Sequence, residues 1–235
     1  AVISINAEKK LADFSIGRCC IYHTPDYINN SRFDRIIVNE SNPRVVFSKP
    51  KNVDGQFPTA LYIHSIAGKD VNLRLGFCFP LLDYEFLPSN GIGLLRSDFS
   101  DTMIETNDPI IAMTSKLMET ALMNDECSKI FIILHSYAAN YLSAILRKFP
   151  DMISGVIFVN PCWNAPPGSP IQTMTVEQLP KDLPMLAIAG GYDMVNPPGE
   201  FAHWESAMKK VGGESCIYDS CDYFLLACPQ KPIPQ

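Results

Sequence analysis

Residues 130–134 read Ile-Phe-Ile-Ile-Leu, and segments of a different period flank them on both sides. Five consecutive apolar residues leave no polar face. A strand made from them must be covered above and below, as the inner strands of a parallel sheet are. Before it, apolar residues recur at 110, 113, 117, 118, 121 and 122, which is one face of a helix. Asn107-Asp108-Pro109 supplies that helix with a cap and a first-turn proline. After it, Ala138, Tyr141, Leu142, Ile145, Leu146 and Phe149 mark a second helix, stopped by Pro150.

The alternation continues along the chain. Arg35-Ile-Ile-Val38 and Arg44-Val-Val-Phe47, with Ser41-Asn-Pro43 between them, predict a hairpin and hence an antiparallel edge. Further strands are predicted at Thr59–Ile63, Gly91–Leu95, Gly155–Val159, Pro184–Ala189 and Glu214–Tyr218. Phe201, Trp204, Met208 and Val211 predict a helix closed by Gly212-Gly213. Strands alternating with helices predict an α/β chain with a mainly parallel central sheet and helices on both faces. The whole of 1–235 reads as one domain, with 162–183, rich in Pro, Gly, Ser and Thr, as a short cap-like insertion.

Composition narrows the function classes. The 235 residues are 47% apolar and 19% charged, a globular balance. A formal charge of −6 offers no basic face, so nucleic acid is not an expected partner. No apolar run approaches the ~20 residues of a membrane span, and no transmembrane segment is expected. The expectation is a soluble, intracellular protein of cytoplasm or organelle; the start at Ala1 rather than Met leaves a removed targeting segment open. Eight cysteines without a C-x-x-C pair, and only four histidines, give no metal pattern and suit free thiols.

The chemistry-bearing stretch is Leu134-His135-Ser136-Tyr137-Ala138-Ala139, where the buried strand runs straight into a helix with a serine at the turn. That is the setting of a nucleophile elbow, usually written G-x-S-x-G. The sharp turn lifts the Ser hydroxyl above the sheet edge and aims the next backbone N–H at a developing oxyanion. Leu134 and Ala138 replace the usual glycines, with the small Ala139 next. The plainer reading of Ser136 is an N-cap at a strand–helix junction.

Over nearly its whole length the chain resembles the α/β-hydrolase fold superfamily. His64-Ser65-Ile66 resembles the oxyanion loop after the third strand, with Ser65 in place of glycine. His135-Ser136-Tyr137 resembles the serine turn. Gly190-Gly-Tyr-Asp-Met-Val-Asn-Pro-Pro198 resembles the acid-bearing strand end. The resemblance implies Ser136 as nucleophile, Asp193 as triad acid, and the N–H groups of Tyr137 and Ile66 as oxyanion donors. It implies a pocket lined by His64, Ser65, His135, Trp163 and Met194, with no cofactor. It places Tyr223, within a loop Asp219–Phe224, where the catalytic histidine belongs. A phenol titrating near ~10 is no general base at neutral pH. The stretch after Tyr223 is proline-rich, so the closing helix of the fold is not expected.

These residues leave open small-molecule sensing in a retained pocket, with Tyr223 as a hydrogen-bond donor, and two further functions. One is a degenerate hydrolase-like protein, inactive or weak, acting as a binding, scaffold or assembly subunit with protein partners over the former active-site face. The other is a working serine esterase or thioesterase that takes a small acyl ester and recruits a histidine, His23 or His203, from elsewhere. Asp193 also has a plainer reading, as a cap for the loop around Asn196-Pro197.

Overall fold

The computed structural model describes residues 2–5, 11–15, 30–39, 45–51, 53–64, 86–97, 109–165, 173–193, 196 and 199–222. Two short strands, β1 (Val2–Ile5) and β2 (Leu11–Ser15), form an antiparallel pair of their own, which the sequence did not announce. The main sheet holds β3 (Phe33–Asn39), β4 (Val45–Pro50), β5 (Phe57–Ile63), β6 (Gly93–Ser97), β7 (Cys127–His135), β8 (Ile153–Val159), β9 (Met185–Tyr192) and β10 (Glu214–Asp222). Their order is β10-β9-β8-β7-β5-β6-β4-β3. The predicted hairpin is the antiparallel β3–β4 pair, and β4 also runs antiparallel to β6. Every pairing from β6 through β5 to β10 is parallel.

The order decides where a site forms. After β5 the chain steps outward to β6, then returns to the other side of β5 for β7, and from there steps outward through β8, β9 and β10. Connections from β5 and β7 thus go to opposite sides of the sheet, and in parallel sheets such a switch point is where a crevice forms above the C-terminal strand ends. His135, the last residue of β7, stands at this rim.

Residue alternation divides the sheet into two faces. On one, Leu61, Ile63, Leu95, Ile132, Leu134, Val156 and Phe158 pack against three helices, α2 (Pro109–Leu122), α3 (Leu142–Lys148) and α4 (Glu200–Val211). Helix α2 contributes Ile110, Met113, Leu117, Met118 and Ala121, five of the six positions its period predicted; the sixth, Leu122, is exposed. The largest side chain of this core is Trp204 of α4, fully buried with its ring 4.5 Å from that of Phe158. The other face carries Ala60, Tyr62, Leu94, Ile133 and Val159, against which Leu87 of the one-turn α1 (Phe86–Ser89) packs. No helix among the described residues is long and apolar enough to cross a membrane.

Two boundaries differ from the sequence reading. The helix expected from Ala138 begins as a tighter 3-10 helix, Ser136–Tyr141, before becoming α3. The last strand does not end at Tyr218: Asp219 to Asp222, expected in a loop, continue β10. The register slips between Tyr218 and Asp222, leaving a bulge there. Gly191 makes room for it, since a Cβ at that position would stand 2.8 Å from the Asp219 Cα. At the end of α4, Gly212 adopts the left-handed φ of 79° that the Gly-Gly stop predicted.

Candidate active site

Ser136 follows β7 directly and has a φ of +57°, the left-handed region. For a residue with a Cβ this costs about 1–2 kcal/mol, and such conformations persist where the surroundings over-determine them. Here the surroundings are the core strand on one side and the helix on the other. Ala138 and Ala139 are fully buried where the helix passes the strand end, so their small size is used. Leu134 packs in the core below the turn and does not obstruct it. Strand, strained turn and helix thus follow one another at Ser136, the setting that a nucleophile elbow requires.

The hydroxyl of Ser136 meets a thiol. Cys162 Sγ lies 3.5 Å from Ser136 Oγ and 3.0 Å from Asn196 Oδ1. The Asn196 amide is oriented by its other end: Nδ2 donates to Asp193 Oδ2 at 2.5 Å and to the Asn160 carbonyl at 3.2 Å, both pure acceptors. Its Oδ1 therefore faces the thiol, and the single thiol proton is given to it. In the Ser136–Cys162 contact the hydroxyl must then be the donor, and sulfur the acceptor. Burial pushes the Cys162 thiol up from its ordinary pKa; the Ser136 hydrogen bond opposes this, and the charges of Glu200 and Asp193 add to it. The thiol stays protonated at neutral pH, and a protonated thiol sulfur is only a weak acceptor, so it takes no proton from Ser136. Ser136 and Asp193 thus belong to one chain of hydrogen bonds, but the links between them are a thiol and an amide.

The frame around this chain is built from strand ends. Asn160, one residue past β8 and in a left-handed turn (φ 42°), donates its N–H to the Ile188 carbonyl at 2.8 Å, and its Oδ1 accepts from Gly190 N at 2.8 Å. Asp193 Oδ1 accepts from Asn196 N at 3.1 Å, so the loop-capping reading of Asp193 holds alongside its place in the network. Cys162 N–H donates to the Ser136 carbonyl at 3.3 Å, and Asn140 Nδ2 donates to the Cys162 carbonyl at 2.9 Å. The buried carboxylate of Glu200, first residue of α4, holds the next two residues. Its Oε1 accepts from the N–H groups of Trp163 and, at 2.7 Å, Asn164, and its Oε2 accepts from Asn164 Nδ2 at 2.9 Å.

The described histidines are engaged elsewhere. His135 points to the sheet face opposite α3, where Nδ1 shares a 2.7 Å hydrogen bond with Tyr62 OH. Burial, with a further contribution from His64, pushes its pKa down to about 3, so the ring is neutral. His64 Nε2 is 3.3 Å from the Ser97 carbonyl. His203, exposed on α4, stacks on Trp163 at 5.8 Å, and Trp163 in turn meets Trp204 edge-on at 5.2 Å. A cavity of about 280 Å³ lies on the Asp193 side of the site, between Asn160, Gly190, Glu205, Phe201 and Ile217; His64, His135 and Trp163, expected in the pocket wall, do not line it. Tyr137 follows Ser136 in the 3-10 helix, its ring edge-on to Tyr141 at 5.5 Å. Ser65, Ile66, Met194 and Tyr223 lie outside the described residues, as does His23.

Sequence reasoning missed Cys162, Asn196, Asn160 and Glu200 as members of the site. Their signal is positional: Asn160-Pro161-Cys162 directly follows the strand beside β7, so these residues must stand next to the elbow once that pairing is known.

No family model and no curated protein sequence matches the chain. Solved structures do. Est1E from Butyrivibrio proteoclasticus is similar with a TM-score of 0.59 and 14% identity, over 81% of this chain and 90% of that one. A dienelactone hydrolase from Anabaena variabilis gives 0.60 and 15%, over 83% and 89%. A CIB-like hydrolase from Thermoplasma acidophilum gives 0.54 and 16%, over 82% and 91%. At these identities the likeness is one of fold, and the chain has the α/β-hydrolase fold.

Proposed function

With the α/β-hydrolase fold as premise, we propose that this chain is a degenerate member of that architecture: it keeps the elbow serine, turns over esters weakly or not at all, and acts as a binding or assembly subunit. The observation that carries this reading is the partner of Ser136 Oγ, a protonated thiol whose own proton goes to Asn196. Acyl transfer by serine needs a base that removes the hydroxyl proton as Oγ attacks the carbonyl. Cys162 cannot be that base, the described histidines face other partners, and the family resemblance implies Tyr223 where the fold supplies its imidazole. A rim made of strand ends, with the aromatic side chains of Tyr137 and Trp163 beside it, then serves recognition by protein partners over the site face.

The test is hydrolysis of a short-chain p-nitrophenyl ester by wild type and Ser136→Ala. The expected result is a wild-type kcat well below the roughly 1 s⁻¹ of a working enzyme. A wild-type kcat above about 1 s⁻¹ that Ser136→Ala abolishes overturns the proposal.

That outcome would favour the second reading, a serine esterase that borrows a histidine. The strained φ of Ser136 and the continuous chain of contacts to Asp193 speak for it. His23→Gln and His203→Gln would then identify the base by loss of the same rate.

A further inference from the structure

We propose that Cys162 is a stopper: its thiol fills the place from which a general base would reach Ser136, and the identity of residue 162 keeps the serine silent. The inference rests on the reading of Ser136 as unactivated, and adds that the base position, which no described histidine occupies, is also closed.

The geometry argues it from three sides. The contacts of Sγ, 3.5 Å to Ser136 Oγ and 3.0 Å to Asn196 Oδ1, bound the gap between the two oxygens. Sγ therefore occupies the space beside Oγ in which a base would have to stand to accept the hydroxyl proton at about 2.8 Å. The backbone that carries the thiol also cannot move aside at little cost. Its own N–H and carbonyl are bonded to the Ser136 carbonyl and to Asn140 Nδ2, and the next two N–H groups are held by Glu200. Finally, the group behind the thiol suits a base. Asn196 Oδ1 is an acceptor fixed in place by Asp193 and Asn160, and with the thiol gone it gives the vacated space a polar wall.

Removing the thiol leaves room for a small base supplied from solution. The experiment follows covalent labelling of Ser136 by a fluorophosphonate, read by intact mass and peptide mapping, with and without added imidazole. In this step Oγ bonds to phosphorus, fluoride leaves, and imidazole takes the hydroxyl proton. Wild type, Cys162→Gly, Cys162→Ala and Cys162→Gly/Ser136→Ala are compared. The expected result is a labelling rate in Cys162→Gly that rises at least tenfold with imidazole and saturates. Wild type should show no such rise, and the double variant should not label. Cys162→Ala carries the same expectation if the glycine variant does not fold. Folded Cys162 variants that label no faster with imidazole than wild type overturn the stopper, as does a wild type that imidazole accelerates equally. A wild type that labels rapidly without imidazole would instead overturn the unactivated serine, so the two readings fail separately.

Discussion

Acidification should unfold this protein through one buried imidazole. His135 sits at the end of β7 against Tyr62, and its proton affinity in the fold is lowered from about 6.5 to about 3 by burial and by His64. Below pH 6.5 the unfolded chain takes up a proton there that the folded chain refuses. The stability associated with the neutral ring is therefore complete above about pH 6.5 and is lost as the pH falls toward 3, by about 1.4 kcal/mol per pH unit. At pH 5 the loss from this group amounts to about 2 kcal/mol, a large share of a typical domain's stability. Urea unfolding at pH 8 and pH 5 measures it, with His135→Gln as reference. The carboxylates titrate in both proteins and cancel in the comparison. The variant loses the Tyr62 contact and starts out less stable, but its stability should fall by about 2 kcal/mol less between the two pH values. Parallel losses in the two proteins would refute the reasoning, as would an NMR titration of the His135 ring with a midpoint above pH 5.

Three further outcomes follow from the same geometry. Because φ at Ser136 is +57°, Ser136→Gly should be more stable than Ser136→Ala by about 1 kcal/mol in chemical denaturation. Gly191→Ala should cost about 1–3 kcal/mol, read as a lower Tm, since its Cβ would meet Asp219 backbone that has no rotamer to yield. Trp204→Ala should cost about 3–5 kcal/mol and give a less cooperative melt, because the ring is fully buried between Phe158 and Trp163.

The sheet and its helices were legible because they follow from period. The unbroken apolar run of β7 requires cover on both faces, and the spacing of Ile110, Met113, Leu117 and Ala121 fits one helix face. Ser136 was legible because a serine between a buried strand and a helix has few roles. Cys162 and Asn196 were not, since each stands in a segment whose composition says only loop; what makes them neighbours is the β7–β8–β9 order and the left-handed turn at Asn160. The tail of β10 was misplaced for the converse reason. Asp219, Ser220, Cys221 and Asp222 have little strand preference, and their place in the sheet depends on a glycine 28 positions earlier that admits their backbone.

The network that ends at Ser136 also has a place in time. Its contacts join residues 26 and 34 positions apart, and each depends on a different pair of strands lying side by side. Such contacts close only after the intervening chain has surrendered its loop entropy, so they come late in assembly. Until then the Cys162 thiol stands unguarded in water and open to alkylation. In refolding, its disappearance from a maleimide pulse therefore times the closing of the β7–β8 and β8–β9 joints, and that clock needs no substrate.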